Sequence, residues 1–236
     1  MSSNASLKPI KLYSHAGGPN PWKVVIALKE LSLPYETSFV DFTKIKSEPF
    51  ISVNPNGRVP AIEDPNTGIT IWESGAILQY LAAKYDTDRK ISFPTGSTAQ
   101  FHADQWLFFQ VSGQGPYMGQ AAWFQNYHPE KIQSAIERYQ KETMRIVGVI
   151  DGWLAKTGQK WLVAEEEGKG SEGKCTYADL SFVPWGANVN WLMGKDVFEG
   201  GKYNHYNEWM ERLKARPAVA AMLKEKAEAM ANEQKH

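Results

Sequence analysis

One cysteine, Cys175, is all the thiol that this 236-residue chain carries. A lone cysteine excludes an intrachain disulfide framework and points to a reducing compartment. No apolar run approaches the roughly 20 residues of a membrane-spanning helix. The opening stretch MSSNASLKPIK lacks the apolar core of a secretory signal. The expectation is a soluble, cytoplasmic protein without a membrane partner. Charge of one sign is also lacking, because 26 Lys and Arg balance 26 Asp and Glu. With no basic field, nucleic acid is not an expected partner. Internal repeats and low-complexity blocks are absent too.

What is present is a core. The hydrophobic fraction of 42% supports a packed globular protein. Ile10 to Tyr13 reads as a strand, followed by the Gly- and Pro-punctuated loop SHAGGPNP. Asn20-Pro21 resembles a helix start, with Asn20 as N-cap and Pro21 as first helical residue. Tyr35 to Asp41 reads as a second strand. Phe42 to Ser52, carrying Lys44 and Lys46, reads as an irregular helix or loop. A strand is expected from Pro60, a turn at DPNTG, a strand at Ile69 to Trp72, and a helix opened by Ser74. The order β-α-β then β-β-α is a thioredoxin-like pattern.

Within it, Asn54 to Tyr85 holds two handles for a ligand. X–Pro is the bond type for which a cis peptide is accessible. A cis Val59–Pro60 bond would turn the Val59 N–H and C=O outward, where an extended peptide can pair with them. Ser74 as an N-cap, followed by free backbone N–H groups, makes a carboxylate or phosphate site. Glu73 beside it suits an ammonium. A ligand with a carboxylate, an ammonium and a peptide backbone fits this set. The bland alternative is an ordinary strand–turn–helix with a cap.

After a polar linker the signal is helical throughout. Helices are expected at Thr98 to Gly113, over a long stripe from Ile132 to Leu154, in the apolar run Leu180 to Trp191, at Tyr203 to Ala215, and briefly from Ala218. Glycines and Pro116 should bend the segment near 113–116. Gly158 to Gly173 reads as an exposed loop. Thr176 to Asp179 reads as a capping box with Asp in place of Glu. The expected organisation is an α/β domain over 8–88, a linker over 89–97 and an all-α domain over 98–236.

Four motifs, NPNGRVPAI, WESGAILQYLAAKY, TYADLSFVPW and RPAV, occur in order at the spacing of a known family. The chain resembles the glutathione transferases across both of their domains. It looks most like the fungal class that includes the glutathione-transferase-like domain of the yeast nitrogen-catabolite regulator. The marks of that class are SHAGGPNPWKV and ERYQKETMRIVGVID. The regulator's Asn-rich prion-forming segment has no counterpart in this sequence. The resemblance therefore implies the transferase-like body rather than the regulatory role.

It implies glutathione as co-substrate, no metal, and a homodimer. Val59 and Pro60 would hold the cysteinyl backbone, and Glu73 and Ser74 the γ-glutamyl end. Lys44 or Lys46 would take the glycyl carboxylate, with Arg58 adjacent or structural. A thiol of pKa about 8.5 is only a few per cent ionised at neutral pH, so a donor must stabilise the thiolate. Asn20 is the first choice for that donor and Ser14 the second. The reaction implied is thiolate attack on a hydrophobic electrophile, with organic hydroperoxide reduction as a further activity. Phe109, Tyr117, Trp123, Phe124 and Trp185 of the helical domain are the expected apolar lining, each weighed against plain core packing. A glutathione-binding regulator or carrier without turnover is the alternative.

Overall fold

The computed structural model describes residues 6–164 and 172–233. Residues 1–5 and 234–236, and 165–171 within the expected exposed loop, lie outside the described residues. The chain divides into two compact units, Met1–Ile91 with Arg216–His236, and Ser92–Ala215.

The first unit runs β1 (Ile10–Ser14), α1 (Pro19–Glu30), β2 (Tyr35–Phe39), α2 (Phe50–Val53), β3 (Ala61–Asp64), β4 (Ile69–Trp72) and α3 (Ser74–Tyr85). The four strands order as β2-β1-β3-β4. β1 and β2 are parallel, while β3 runs antiparallel to β1 and β4 to β3. Ile10 and Leu12 of β1 are buried and Lys11 between them is exposed, the period-two alternation of a strand. Asp64 fixes the β3–β4 turn by accepting from Asn66 N–H at 2.9 Å and the Tyr80 hydroxyl at 2.6 Å. The Asn66 side chain then clasps the Lys8 backbone with two bonds of 2.9 Å. Lys8, just ahead of β1, is therefore pinned.

The last helix is the largest departure from expectation. In place of a short helix from Ala218, α10 spans Pro217–Glu233, 17 residues. It belongs to the first unit, whereas the sequence reading grouped it with the all-α domain. Its seat is on α1, where Glu225 accepts from Lys29 at 2.8 Å and from the Tyr35 hydroxyl at 2.8 Å. Arg216 meets Glu30 with two bonds, 2.7 and 2.9 Å. Such fork-to-fork pairing fixes orientation as well as adding energy.

The second unit comprises α4 (Thr98–Phe109), α5 (Gly115–Ala122), α6 (Gln133–Thr157), α7 (Tyr177–Gly186), α8 (Val189–Met193) and α9 (Asn204–Lys214). The helix expected over Thr98 to Gly113 is α-helical only to Phe109. Gln110–Gln114 winds as a π turn into α5, and Trp123–Tyr127 winds as another. Buried Gln110 donates to Gln114 at 2.9 Å, and Gln114 donates to the Phe182 carbonyl at 3.3 Å, so these buried amides are partnered. The run Leu180 to Trp191 is two helices, α7 and α8, parted after Gly186. α7 is buried nearly all round, and its Thr176–Asp179 capping box forms. Cys175 is buried.

Candidate functional site

The floor of the site is the turn between α2 and β3. Asn54 is buried and braces it, donating to the Arg58 carbonyl at 2.6 Å and accepting from Asn56 N–H at 2.9 Å. Gly57 has φ +57°, and a Cβ there would lie 2.8 Å from the Ile45 carbonyl. Only glycine permits both that backbone region and that approach. The close approach brings the loop after β2 down over the turn. Lys46 Nζ seals it with a bond of 2.8 Å to the Asn56 carbonyl. Beneath, Ile45, Phe50 and Ala61 form a small core with Tyr13, Val59 and Trp72 packed on it.

A cavity of about 330 Å³ opens above this floor. Gly18 to Pro21 form one wall, Phe42, Ile45 and Lys46 a second, and Gly57, Arg58 and Val59 a third. The Val59–Pro60 bond is cis, as expected, and so is Glu48–Pro49, which the sequence reading did not single out. The β1–β3 and β3–β4 ladders begin at Ala61, so Val59 precedes them. Asn20, Lys46, Arg58 and Val59 are thus gathered around one space. Lys44 is exposed and is not part of this wall; its carbonyl accepts from the Ser47 N–H and hydroxyl.

Asn20 is not the N-cap of α1. Gly18 holds that position, Pro19 opens the helix, and Asn20 lies inside its first turn. Two prolines at the start, Pro19 and Pro21, favour the earlier opening, since a proline φ is already helical and its missing N–H costs nothing in the first turn. Ser14 ends β1, fully buried, and its Oγ has no hydrogen-bond partner among the described residues. It is not part of the cavity wall.

Ser74 is likewise not an N-cap but the first residue of α3. Glu73 is the cap residue, at φ 71°, and among the described residues no side chain caps this helix. A non-glycine residue in that region is held there by its surroundings and marks a site worth inspecting. Glu73 is exposed and accepts a long 3.4 Å bond from Asn56, which ties the two handles of the sequence together. Neither Glu73 nor Ser74 lines the cavity just described.

One functional group escaped the sequence reading. Lys23, one turn beyond Asn20 on α1, is 1% exposed, and its Nζ donates to Ser74 Oγ at 3.3 Å. Burial pulls its pKa down to about 7, with the Glu73 charge pulling the other way. Its signal was a single lysine inside the apolar run PWKVVIAL.

The five aromatics expected to line an apolar site all lie in the second unit, where Trp123 and Phe124 both pack on His128. Phe124 stacks on Tyr139 at 5.6 Å, and Tyr117 lies 6.2 Å from the same ring. Trp185 packs on α5, where a Cβ on Gly119 would sit 3.5 Å from its ring. Trp123 is 47% exposed, beside Tyr127 and His128. Phe109 sits apart from these, with Trp106 and Phe182. Among the described residues no cluster of His, Cys, Asp and Glu could hold a metal ion, and no helix is long and apolar enough to cross a membrane.

Residues 8–83 match the model of the glutathione S-transferase N-terminal domain, and residues 118–226 match that of a glutathione S-transferase C-terminal domain. The chain belongs to the glutathione S-transferase family. Within that family it resembles the fungal Ure2-like members. It is 48% identical to the glutathione S-transferase-like protein tpcF of Aspergillus fumigatus over 222 residues, 90% of this chain and 94% of that one. It is 36% identical to the protein URE2 of Candida glabrata over 256 residues, 94% of this chain and 69% of that one. The transferase URE2P6 of Phanerochaete chrysosporium, solved in complex with oxidized glutathione, superposes with a TM-score of 0.86 at 47% identity, covering 94% of this chain and 98% of that one.

Proposed function

We propose that the protein binds glutathione and transfers its thiolate to hydrophobic electrophiles, with reduction of organic hydroperoxides as a second activity. The observation that carries this reading is the convergence of Asn20, Lys46, Arg58 and Val59 on one cavity. In it, Val59 pairs with the cysteinyl backbone of the tripeptide. Lys46 or Arg58 takes the glycyl carboxylate, and Lys44, away from the wall, is set aside. Glu73 holds the ammonium, and Ser74 with the uncapped N-terminus of α3 holds the γ-glutamyl carboxylate.

Asn20 is the thiolate donor in this reading. Its amide cannot take a proton, so it stabilises and orients the anion. Each unit by which the thiol pKa falls corresponds to about 1.4 kcal/mol of differential stabilisation. The positive end of α1 adds to the same effect. Ser14 is second, because its buried hydroxyl is not on the cavity wall. The electrophile is received by aromatics of the second unit, among Phe109, Tyr117, Trp123, Phe124 and Trp185. The protein acts as a cytoplasmic homodimer.

A glutathione carrier without turnover is the second reading. It draws on the 37% identity to the nitrogen regulation fragment of the yeast prion protein URE2P. One pair of assays separates the two: affinity for glutathione, and turnover with a halogenated nitroarene and an organic hydroperoxide. Binding with turnover on either substrate is the expected result. Binding without turnover on any electrophile supports the carrier, and no binding rejects both.

A further inference from the structure

We propose that Lys23 is a positioning residue of the glutathione site: its buried ammonium donates to Ser74 Oγ and thereby turns the Ser74 hydroxyl hydrogen toward the ligand carboxylate. The inference rests on the glutathione reading above and deepens it. Lysine is almost never fully buried without a purpose or a partner. Here it is 1% exposed, on the helix that packs against α3, and 3.3 Å from Ser74 Oγ.

The donor count forces the orientation. An ammonium has three donors and no acceptor, while a hydroxyl has one hydrogen and two lone pairs. A charged Lys23 can only donate to Ser74, so the hydroxyl hydrogen is left for another acceptor. The free N–H groups at the start of α3 are offered at the same helix end. A carboxylate there collects both, with a positive charge behind them. A neutral Lys23 amine can itself accept, so the Ser74 hydrogen can swing inward and the ligand loses a donor. Lys23 therefore acts through Ser74 rather than by touching the ligand.

This arrangement makes binding depend on pH, because burial leaves Lys23 titrating near 7 while Glu73 supports its charge. Charged groups on the other elements packed against α1 are engaged elsewhere. Lys11 of β1 pairs with Glu63, and Tyr80 and Tyr85 of α3 hold Asp64. Lys84, in the last turn of α3, is exposed. On α10, Glu225 pairs with Lys29, Glu228 with Lys224 and Glu233 with His15, while burial pulls Lys226 down. An anion arriving at Ser74 holds the Lys23 proton, so binding takes up a proton above the free-state pKa.

The test uses S-methylglutathione, which has no thiol to titrate, and measures its Kd by calorimetry between about pH 6 and pH 8. Wild type should weaken about fivefold across that range, the loss expected if binding raises the Lys23 pKa by about one unit. Lys23→Met should bind about tenfold more weakly at the acid end and show a flat profile. Should Lys23→Met fail to fold, Ser74→Ala is read instead: it should flatten the profile too, since it removes the atom through which Lys23 acts. A slope that survives in the folded variant belongs to another group and overturns the assignment. A wild-type profile that is already flat overturns it as well. An absence of binding at every pH overturns the glutathione reading, and this inference with it.

Discussion

The N-termini of α3 and α7 are built from similar residues and put to opposite use. At α7, Thr176 and Asp179 close the helix end on itself. Asp179, fully buried, accepts from Leu162 N–H at 2.9 Å, Thr176 N–H at 3.0 Å and Trp209 Nε1 at 3.0 Å. The capping box turns that helix end inward on the chain itself. At α3, Glu73 is at φ 71°, no side chain among the described residues caps the helix, and a lysine is buried behind its first residue. A helix end left open, with a charge held behind it, can receive an anion; a helix end satisfied within the chain serves the fold. A serine or threonine at a helix start is therefore ambiguous until its hydrogen-bond partners are known.

The contrast can be broken by substitution. The largest effect is expected from Asp179→Ala, which strands three buried donors and should lower stability by about 3 kcal/mol or more. Chemical denaturation checks this, and glutathione affinity of the folded fraction should not change. Next, Asn20→Ala should cut turnover about tenfold to a hundredfold, as a thiol pKa higher by one to two units requires, with little change in affinity. An unaltered turnover number at saturating glutathione would reject Asn20 as the donor. Ser74→Ala should weaken glutathione binding about tenfold and lower stability by only about 1 kcal/mol, for the acceptor lost to buried Lys23, well short of the Asp179→Ala loss. A large loss of stability instead would make α3 an end of the α7 kind.

The last expected effect is a pH slope in stability. Folded Lys23 titrates at about 7 against an ordinary value of 10.5, so between those values the unfolded chain binds more protons. The stability contributed by this group is present above the unfolded value and is lost as pH falls through about 7. Melting temperature should therefore rise with pH above neutrality in wild type, and that slope should vanish in Lys23→Met.

Much of the fold was legible because its signals are local. Period-two burial in β1, the DPNTG turn and the Thr176–Asp179 box each depend on residues a few positions apart. So does the long amphipathic stripe of α6. The cavity was legible in part. Arg58, Val59 and Lys46 sit on or beside one recognisable turn, and Asn20 stands beside two prolines. The helix starts were misplaced by one or two residues at both Asn20 and Ser74. At Asn20 a competing proline opened the helix earlier; at Ser74 the left-handed conformation of Glu73 made the preceding residue the cap.

From its residue order alone the chain determined most of its strands, helices and turns, and it marked 54–85 as the stretch proposed to carry the ligand chemistry. Backbone propensity and hydrophobic period act over one or two turns, so neighbours along the chain suffice to set them. Only the tertiary structure decided which helix end stays open, which lysine is taken out of water, that α10 returns to pack on α1, and that Lys46 rather than Lys44 meets the cavity. Those outcomes depend on contacts between residues far apart in sequence, where burial and the pairing of charges are settled by packing rather than by local pattern.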